Sequence, residues 1–237
     1  MGTIVIIKNN KGGVGKTFLT AQLGAGLAGL SKKTLILTSD SQNNILDYLF
    51  HGENPIFTKG LKAEVNKKGD GETFLLRKNL YFIPLESNTF STSFVEKLPK
   101  YLETLRTEYD YIFVDSVPTL KIDKTFLENA DKIIIPLQAN SVNINSTLQF
   151  LNEINDDSKV AALIINQYTN TKIKSKYKEF LEMSLAGKIP ILEPIPTLAF
   201  IDKMLDCRKS IWEYKNKTAN IIQNNLYQLI QLIEFKQ

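Results

Sequence analysis

Lys11-Gly12-Gly13-Val14-Gly15-Lys16-Thr17 is the stretch of this 237-residue chain whose residue types and spacing most plainly suit chemistry. Glycines at 12, 13 and 15 let the backbone fold tightly and turn successive N–H groups inward, and a helix opening near Lys16 adds the positive end of its dipole. A di- or triphosphate fits such a nest. Lys16 then reaches the terminal phosphates, and the Thr17 hydroxyl stands where a Mg²⁺ ion takes a ligand. A carboxylate completes the set: Asp115 ends the apolar run Tyr111-Ile112-Phe113-Val114. There it can hold Mg²⁺ through the water shell that this ion gives up reluctantly.

These groups need strands and helices to hold them. The run Ile4-Val5-Ile6-Ile7 leads into the glycines, and Leu19, Leu23 and Leu27 follow at helical spacing, so strand, loop and helix succeed one another to about Leu30. Thr34-Leu35-Ile36-Leu37-Thr38 reads as the strand that completes a βαβ crossover. Residues 51–79 lose clear period, with Gly52, Pro55, Gly60, Gly69 and Gly71 as breakers and Lys59, Lys62, Lys67 and Lys68 among them. This predicts a loop-rich excursion, with the sole histidine, His51, solvated rather than acting as a base. Residues 80–84 read as a strand, and 94–107 as an amphipathic helix interrupted near Pro99. Further strands are expected over 130–137, 160–165 and 189–195, and helices over 198–207 and 219–235. The last helix places Ile222, Leu226, Leu229, Ile230 and Ile233 on one face. Strands alternating with helices predict an α/β fold: a mostly parallel twisted sheet flanked by helices on both faces, with the phosphate nest at its C-terminal edge. No Pro/Gly/Ser-rich linker divides the chain, so 1–237 reads as one domain.

The loop departs from the general phosphate-loop pattern in having Asn10 where a glycine is usual, followed by the extra Lys11. Asn9-Asn10-Lys11-Gly12-Gly13-Val14-Gly15-Lys16-Thr17 resembles the deviant Walker A loop, xKGGxGK[ST], of the ParA/Soj/MinD superfamily of ATPases. Around Asp40 the family reads DxDPQGN; Asp40, Gln42 and Asn44 match, whereas Thr38, Ser41 and Asn43 do not. The run ending in Asp115 resembles YDxIIIDxPP, with Pro118 matching and Val117 in place of the first proline. Residues 130–136 resemble ADxxIIP.

That resemblance implies slow hydrolysis of ATP with Mg²⁺ as cofactor, and it assigns roles. Lys16 neutralises phosphate charge within its own subunit, and Lys11 does so across a dimer interface. Asp40 orients the attacking water and belongs with Thr17 and Asp115 to the magnesium site. The nucleotide lies against residues 11–17 (Lys11, Gly12, Gly13, Val14, Gly15, Lys16 and Thr17), Phe18, Asn166 and Pro196. Three of these residues also have plainer readings: Asp40 suits the bend after a strand, Asp115 suits a strand-end cap, and Asn166 suits the turn after a strand as well as an adenine edge. The family further implies an ATP-dependent homodimer that binds non-specific DNA, and a ParB-like centromere-binding protein that stimulates hydrolysis and release. A MinD-like membrane-cycling or cargo-positioning ATPase is the alternative.

Composition narrows the partners only a little. Net charge is +4, from 29 Lys and Arg against 25 Asp and Glu, which permits polyanion binding without demanding it. One cysteine, Cys207, allows no internal disulfide and suggests a reducing compartment; it also argues against iron–sulfur relatives. With no basic leader or cleavage site at the N-terminus, the chain is expected in the cytoplasm, and on the nucleoid when ATP is bound. Lys236 is the only basic residue after Lys217, so the terminal helix is expected to pack on the core, and no membrane partner is expected. Many relatives carry arginine after the last strand's proline as a DNA anchor, but this chain has Pro196-Thr197. The replacement candidates are Lys203, Arg208, Lys209, Lys215 and Lys217, or the run Lys172, Lys174, Lys176 and Lys178.

Overall fold

The structure, a computed structural model, describes every residue except 68, 118–120, 155, 186 and 236–237, and leaves the side chain of 121 undescribed. The expectations attached to Lys68, Pro118 and Lys236 therefore lie outside the described residues.

Strand β1 (Thr3–Ile7) leads through the glycine loop into α1 (Lys16–Gly29), and β2 (Thr34–Thr38) and α2 (Ile45–Leu49) follow. The expected loop-rich excursion is more ordered than its breakers suggest, because it holds α3 (Leu61–Asn66) and β3 (Phe74–Arg77). Then come β4 (Leu80–Phe82), α4 (Thr92–Glu108), β5 (Tyr111–Asp115), α5 (Lys121–Asn129), β6 (Lys132–Leu137) and α6 (Ser141–Glu153). The chain continues through β7 (Val160–Ile165), α7 (Lys172–Leu185), β8 (Ile191–Leu192), α8 (Ala199–Asp206) and α9 (Lys217–Glu234). The strands form one sheet in the order β3-β4-β2-β5-β1-β6-β7-β8, in which only the edge pair β3–β4 is antiparallel. The expected mostly parallel α/β fold is the observed one.

Side chains alternate across the sheet and divide the core into two layers. Val5, Ile7, Ile36 and Phe113 meet α1, α8 and α9 on one face, while Ile4, Ile6, Leu35, Leu37, Ile112 and Val114 meet α3, α4, α5, α6 and α7 on the other. Both faces of the central strands are covered, which is why these strands read as continuous apolar runs rather than alternating ones.

Two expectations need correcting. Helix α4 runs unbroken through Pro99. An interior proline costs about 3 kcal/mol. Burial of Phe94, Leu98, Leu102 and Leu105 on one face recovers roughly 1.5–3 kcal/mol for each side chain, so the helix persists. The last strand is not seven residues long but shrinks to Ile191–Leu192, with an isolated bridge from Pro196 to Tyr168. Pro190, Pro194 and Pro196 cannot donate to the ladder, and they confine pairing to the residues between and beside them.

The terminal helix packs on the core as expected. Ile222, Leu226, Leu229, Ile230 and Ile233 are all buried in the layer shared with α1. Contact is close at Gly26, where an added Cβ would lie 2.7 Å from the Ile230 Cδ1 and 2.9 Å from the Trp212 ring. Among the described residues no helix is long and apolar enough to cross a membrane.

Candidate nucleotide site

Three neighbouring strand ends meet at the C-terminal edge of the sheet. β5 lies between β2 and β1, with Thr38 and Ile7 both in register with Asp115. The glycine loop rises from β1, and the turn carrying Asp40 rises from β2.

The loop is fixed from several sides. The Asn9 side chain donates to the Pro136 carbonyl at 2.8 Å and to the Thr147 hydroxyl at 3.0 Å, and its oxygen accepts from the Lys11 N–H at 2.9 Å. Gln138 donates to the Gly13 carbonyl at 3.2 Å, and Asn166 to the Val14 carbonyl at 3.0 Å. Gly15, with φ of 93°, is the residue before α1. A Cβ there would sit 2.0 Å from the Asn166 amide nitrogen, so glycine is required by conformation and by space. At Gly12 and Gly13, by contrast, a Cβ would meet nothing within 4 Å, leaving a rim open to a ligand. Nothing local in the sequence marks Asn9 and Gln138 as loop anchors; the signal available is only that polar residues end two apolar strands.

Lys16 is 8% exposed, and its amine donates to the Lys11 carbonyl at 2.7 Å, curled back over the loop. Burial lowers its pKa to about 8, with Asp115 opposing the shift. Asp115 is 5% exposed. Its Oδ2 accepts from the Thr17 hydroxyl at 2.9 Å, whereas its Oδ1 is buried with no hydrogen-bond partner. Burial raises its pKa to about 7 against the pull of Thr17 and Lys16. A buried ammonium beside an open anion nest, and a buried carboxylate with an orphaned oxygen, are the donor set that a polyphosphate and a hard dication satisfy together. The residues present therefore fit Mg²⁺ and a nucleotide.

Asp40 stands on the turn after β2, its N–H donating to the Thr38 hydroxyl at 3.0 Å and its Oδ1 accepting from the Gln42 N–H at 3.0 Å. Its carboxylate thus shapes the bend. Asn166 likewise has both ends engaged, donating to Val14 and accepting from the Gln167 N–H at 3.0 Å. A cavity of about 370 Å³ opens beside the loop, lined by Gly15, Phe18, Tyr48, Asn166, Thr197 and Leu198. Pro196 pairs with Tyr168, and its neighbour Thr197 forms the wall.

The basic candidates separate by what they touch. Arg208 faces inward: its guanidinium donates to the carbonyls of Phe50 at 3.2 Å and Gly52 at 2.6 Å and to the Asn54 side chain at 2.7 Å. It is a tie to the segment after α2, and Arg77 in turn holds it, donating to the Arg208 carbonyl at 2.8 Å and pairing with Glu213 at 3.0 Å. Lys203, Lys209, Lys215 and Lys217 are exposed. In the other cluster Lys178 pairs with Glu182 at 3.5 Å and Glu193 at 3.9 Å, and Lys174 donates to the Gln167 carbonyl at 3.1 Å.

Residues 2–167 match the AAA_31 family, described as an AAA domain. The septum site-determining protein MinD of Bacillus subtilis is 25% identical over 74% of this chain and 68% of its own length. The chromosome partitioning protein ParA of Myxococcus xanthus is 28% identical over 71% of this chain and 66% of its own length. In fold, the chain is similar to McdA of Cyanothece solved as an ATP complex, with a TM-score of 0.82, 18% identity and coverage of 100% of this chain and 98% of that one.

Proposed function

We propose that this chain, which belongs to the ParA/MinD superfamily of P-loop ATPases, is a slow Mg²⁺-dependent ATPase. In this reading ATP joins two copies face to face, and the dimer holds non-specific DNA until a ParB-like partner stimulates hydrolysis in plasmid or chromosome partition. The observation that carries the reading is the Asp115–Thr17 pair at the mouth of the glycine nest, with its orphaned buried oxygen and with Lys16 close by.

Phosphoryl transfer asks the protein mainly for positioning and for neutralisation of charge on the γ-phosphate oxygens. When bound, Mg²⁺ supplies part of that neutralisation. Loop N–H groups and Lys16 hold the phosphates of their own subunit, with Lys16 exchanging the Lys11 carbonyl for a phosphate oxygen. Lys11 reaches the phosphates of the facing subunit. Asp40 orients the water, and Thr17 and Asp115 hold the metal and its water shell. The cavity lined by Phe18, Asn166 and Thr197 takes the base. DNA contact falls to Lys203, Lys209, Lys215 and Lys217.

MinD relatives make a membrane cycle the competing reading. Against it stands α9, whose apolar face is already spent on α1. Calorimetry with ATP and millimolar Mg²⁺ tests the first step: binding in the wild-type chain supports the reading, and undetectable binding removes it. Random duplex DNA and anionic liposomes, each with and without ATP, then separate the two destinations.

A further inference from the structure

A buried polar ring ties the strand ends that carry the site. The Val117 N–H donates to the Ser39 hydroxyl oxygen at 2.9 Å, and the Ser39 hydroxyl donates to Asp123 Oδ1 at 2.8 Å. Asp123 Oδ2 faces the Lys8 amine at 3.5 Å, and that amine donates to the Val117 carbonyl at 3.1 Å. The circuit closes on the residue where it began.

Each member extends an element that carries the chemistry. Lys8 directly follows β1 and leads into the phosphate loop, Ser39 directly precedes Asp40, Val117 lies two residues beyond Asp115, and Asp123 is on α5. Lys8, Ser39 and Asp123 are 5%, 0% and 4% exposed. Burial holds the Lys8 amine below its ordinary pKa, while Asp123 supports its charge. A buried ion pair with well-packed apolar isosteres available is weak evidence for stability, because desolvation offsets the attraction; its directional bonds fix geometry instead. Here the geometry fixed is the spacing between the loop, the Asp40 turn and the segment after Asp115. Asp40 and Asp115 keep other roles, and neither belongs to the ring.

We propose that Lys8, Ser39 and Asp123 are positioning residues for hydrolysis: their ring with Val117 holds the Asp40 turn and the segment after Asp115 in the register that turnover requires. This inference rests on the ATPase reading above. Misplacement by about 1 Å at a reacting centre costs on the order of a hundredfold in rate, whereas the phosphate nest, held independently by Asn9, Gln138 and Asn166, keeps its affinity.

Two variants of the full chain test it. Ser39→Ala opens the ring and leaves the Lys8–Asp123 pair in place, and Lys8→Met combined with Asp123→Asn removes both charges so that neither is stranded. Turnover at saturating ATP is expected to fall about 10- to 100-fold in each, with ATP Kd within about twofold of wild type and the double variant's melting temperature near wild type. Unchanged turnover in either folded variant overturns the proposal, as does a fall in turnover matched by an equal loss of ATP affinity. A wild-type chain that binds ATP without hydrolysing it would sink the ATPase reading and the ring's role with it. Hydrolysis by the wild type together with full activity in the variants would sink the ring alone.

Discussion

Thr17 and Asp115, 98 positions apart in sequence, meet side chain to side chain at 2.9 Å, and the contact leaves the other carboxylate oxygen of Asp115 buried without a partner. A group kept in that condition destabilises the nucleotide-free fold whenever it is charged. The folded pKa of about 7 stands above the ordinary 3.8, so the folded chain holds the proton more tightly than the unfolded chain does. The penalty is absent below the unfolded value, grows as pH rises through the window between the two, and is complete above about 7. Asp115→Asn should therefore stabilise the nucleotide-free chain at pH 8, on the order of a few kcal/mol, and should lose that advantage at pH 4. Melting temperatures at the two pH values check this. The same variant should lose the Mg²⁺ dependence of nucleotide binding.

The two lysines of the loop should fail differently. Lys16→Ala removes the buried amine that curls over the loop, and ATP binding should become undetectable by calorimetry. Lys11→Ala should bind ATP with little change yet remain monomeric, because that side chain acts on a facing subunit. Crosslinking with ATP distinguishes them, and a Lys11→Ala chain that dimerises normally rejects the face-to-face arrangement.

Where α9 packs on α1 the expected effect is structural. Leu226 is fully buried between α9 and the layer that α1 shares. Leu226→Ala should cost about 2–5 kcal/mol in urea unfolding without altering the slope with denaturant. A loss under about 1 kcal/mol would mean that the helix is detachable, and with that the membrane reading would return.

The parts of this molecule legible from sequence were those in which one local rule decides. Ile4 to Ile7 before Lys11 to Thr17 gave strand, loop and helix, and the apolar run closing on Asp115 gave the opposing carboxylate. The terminal helix was legible because Ile222, Leu226, Leu229, Ile230 and Ile233 share one face. Tertiary competition hid the rest. Pro99 argued locally for a break, but the burial of four neighbours outweighed it. Arg208 read as a candidate for DNA contact because nothing near it in sequence reveals the carbonyls of Phe50 and Gly52, more than 150 positions away. Lys8 and Asp123, 115 positions apart in sequence, escaped notice for the same reason.

DNA contact should follow the exposed lysines of the C-terminal cluster. With ATP present, Lys215→Glu combined with Lys217→Glu should weaken binding to random duplex DNA and flatten the slope of log affinity against log salt by about one for each phosphate that is no longer neutralised. Fluorescence anisotropy at two salt concentrations measures both. Equal weakening from Lys172→Glu with Lys176→Glu and none from the first pair would move the footprint to α7.

The account turns on ATP as the joint between two copies and on Asp40 as the group that lets the joint open. Light scattering during an ATP chase tests this directly, with the wild type beside Asp40→Ala. The wild type should form a dimer that decays as ATP is consumed, and Asp40→Ala should form one that persists, since it keeps the phosphate nest and Lys11 but loses the water-orienting carboxylate. A variant that stays monomeric with ATP, or that hydrolyses at the wild-type rate, would contradict the account.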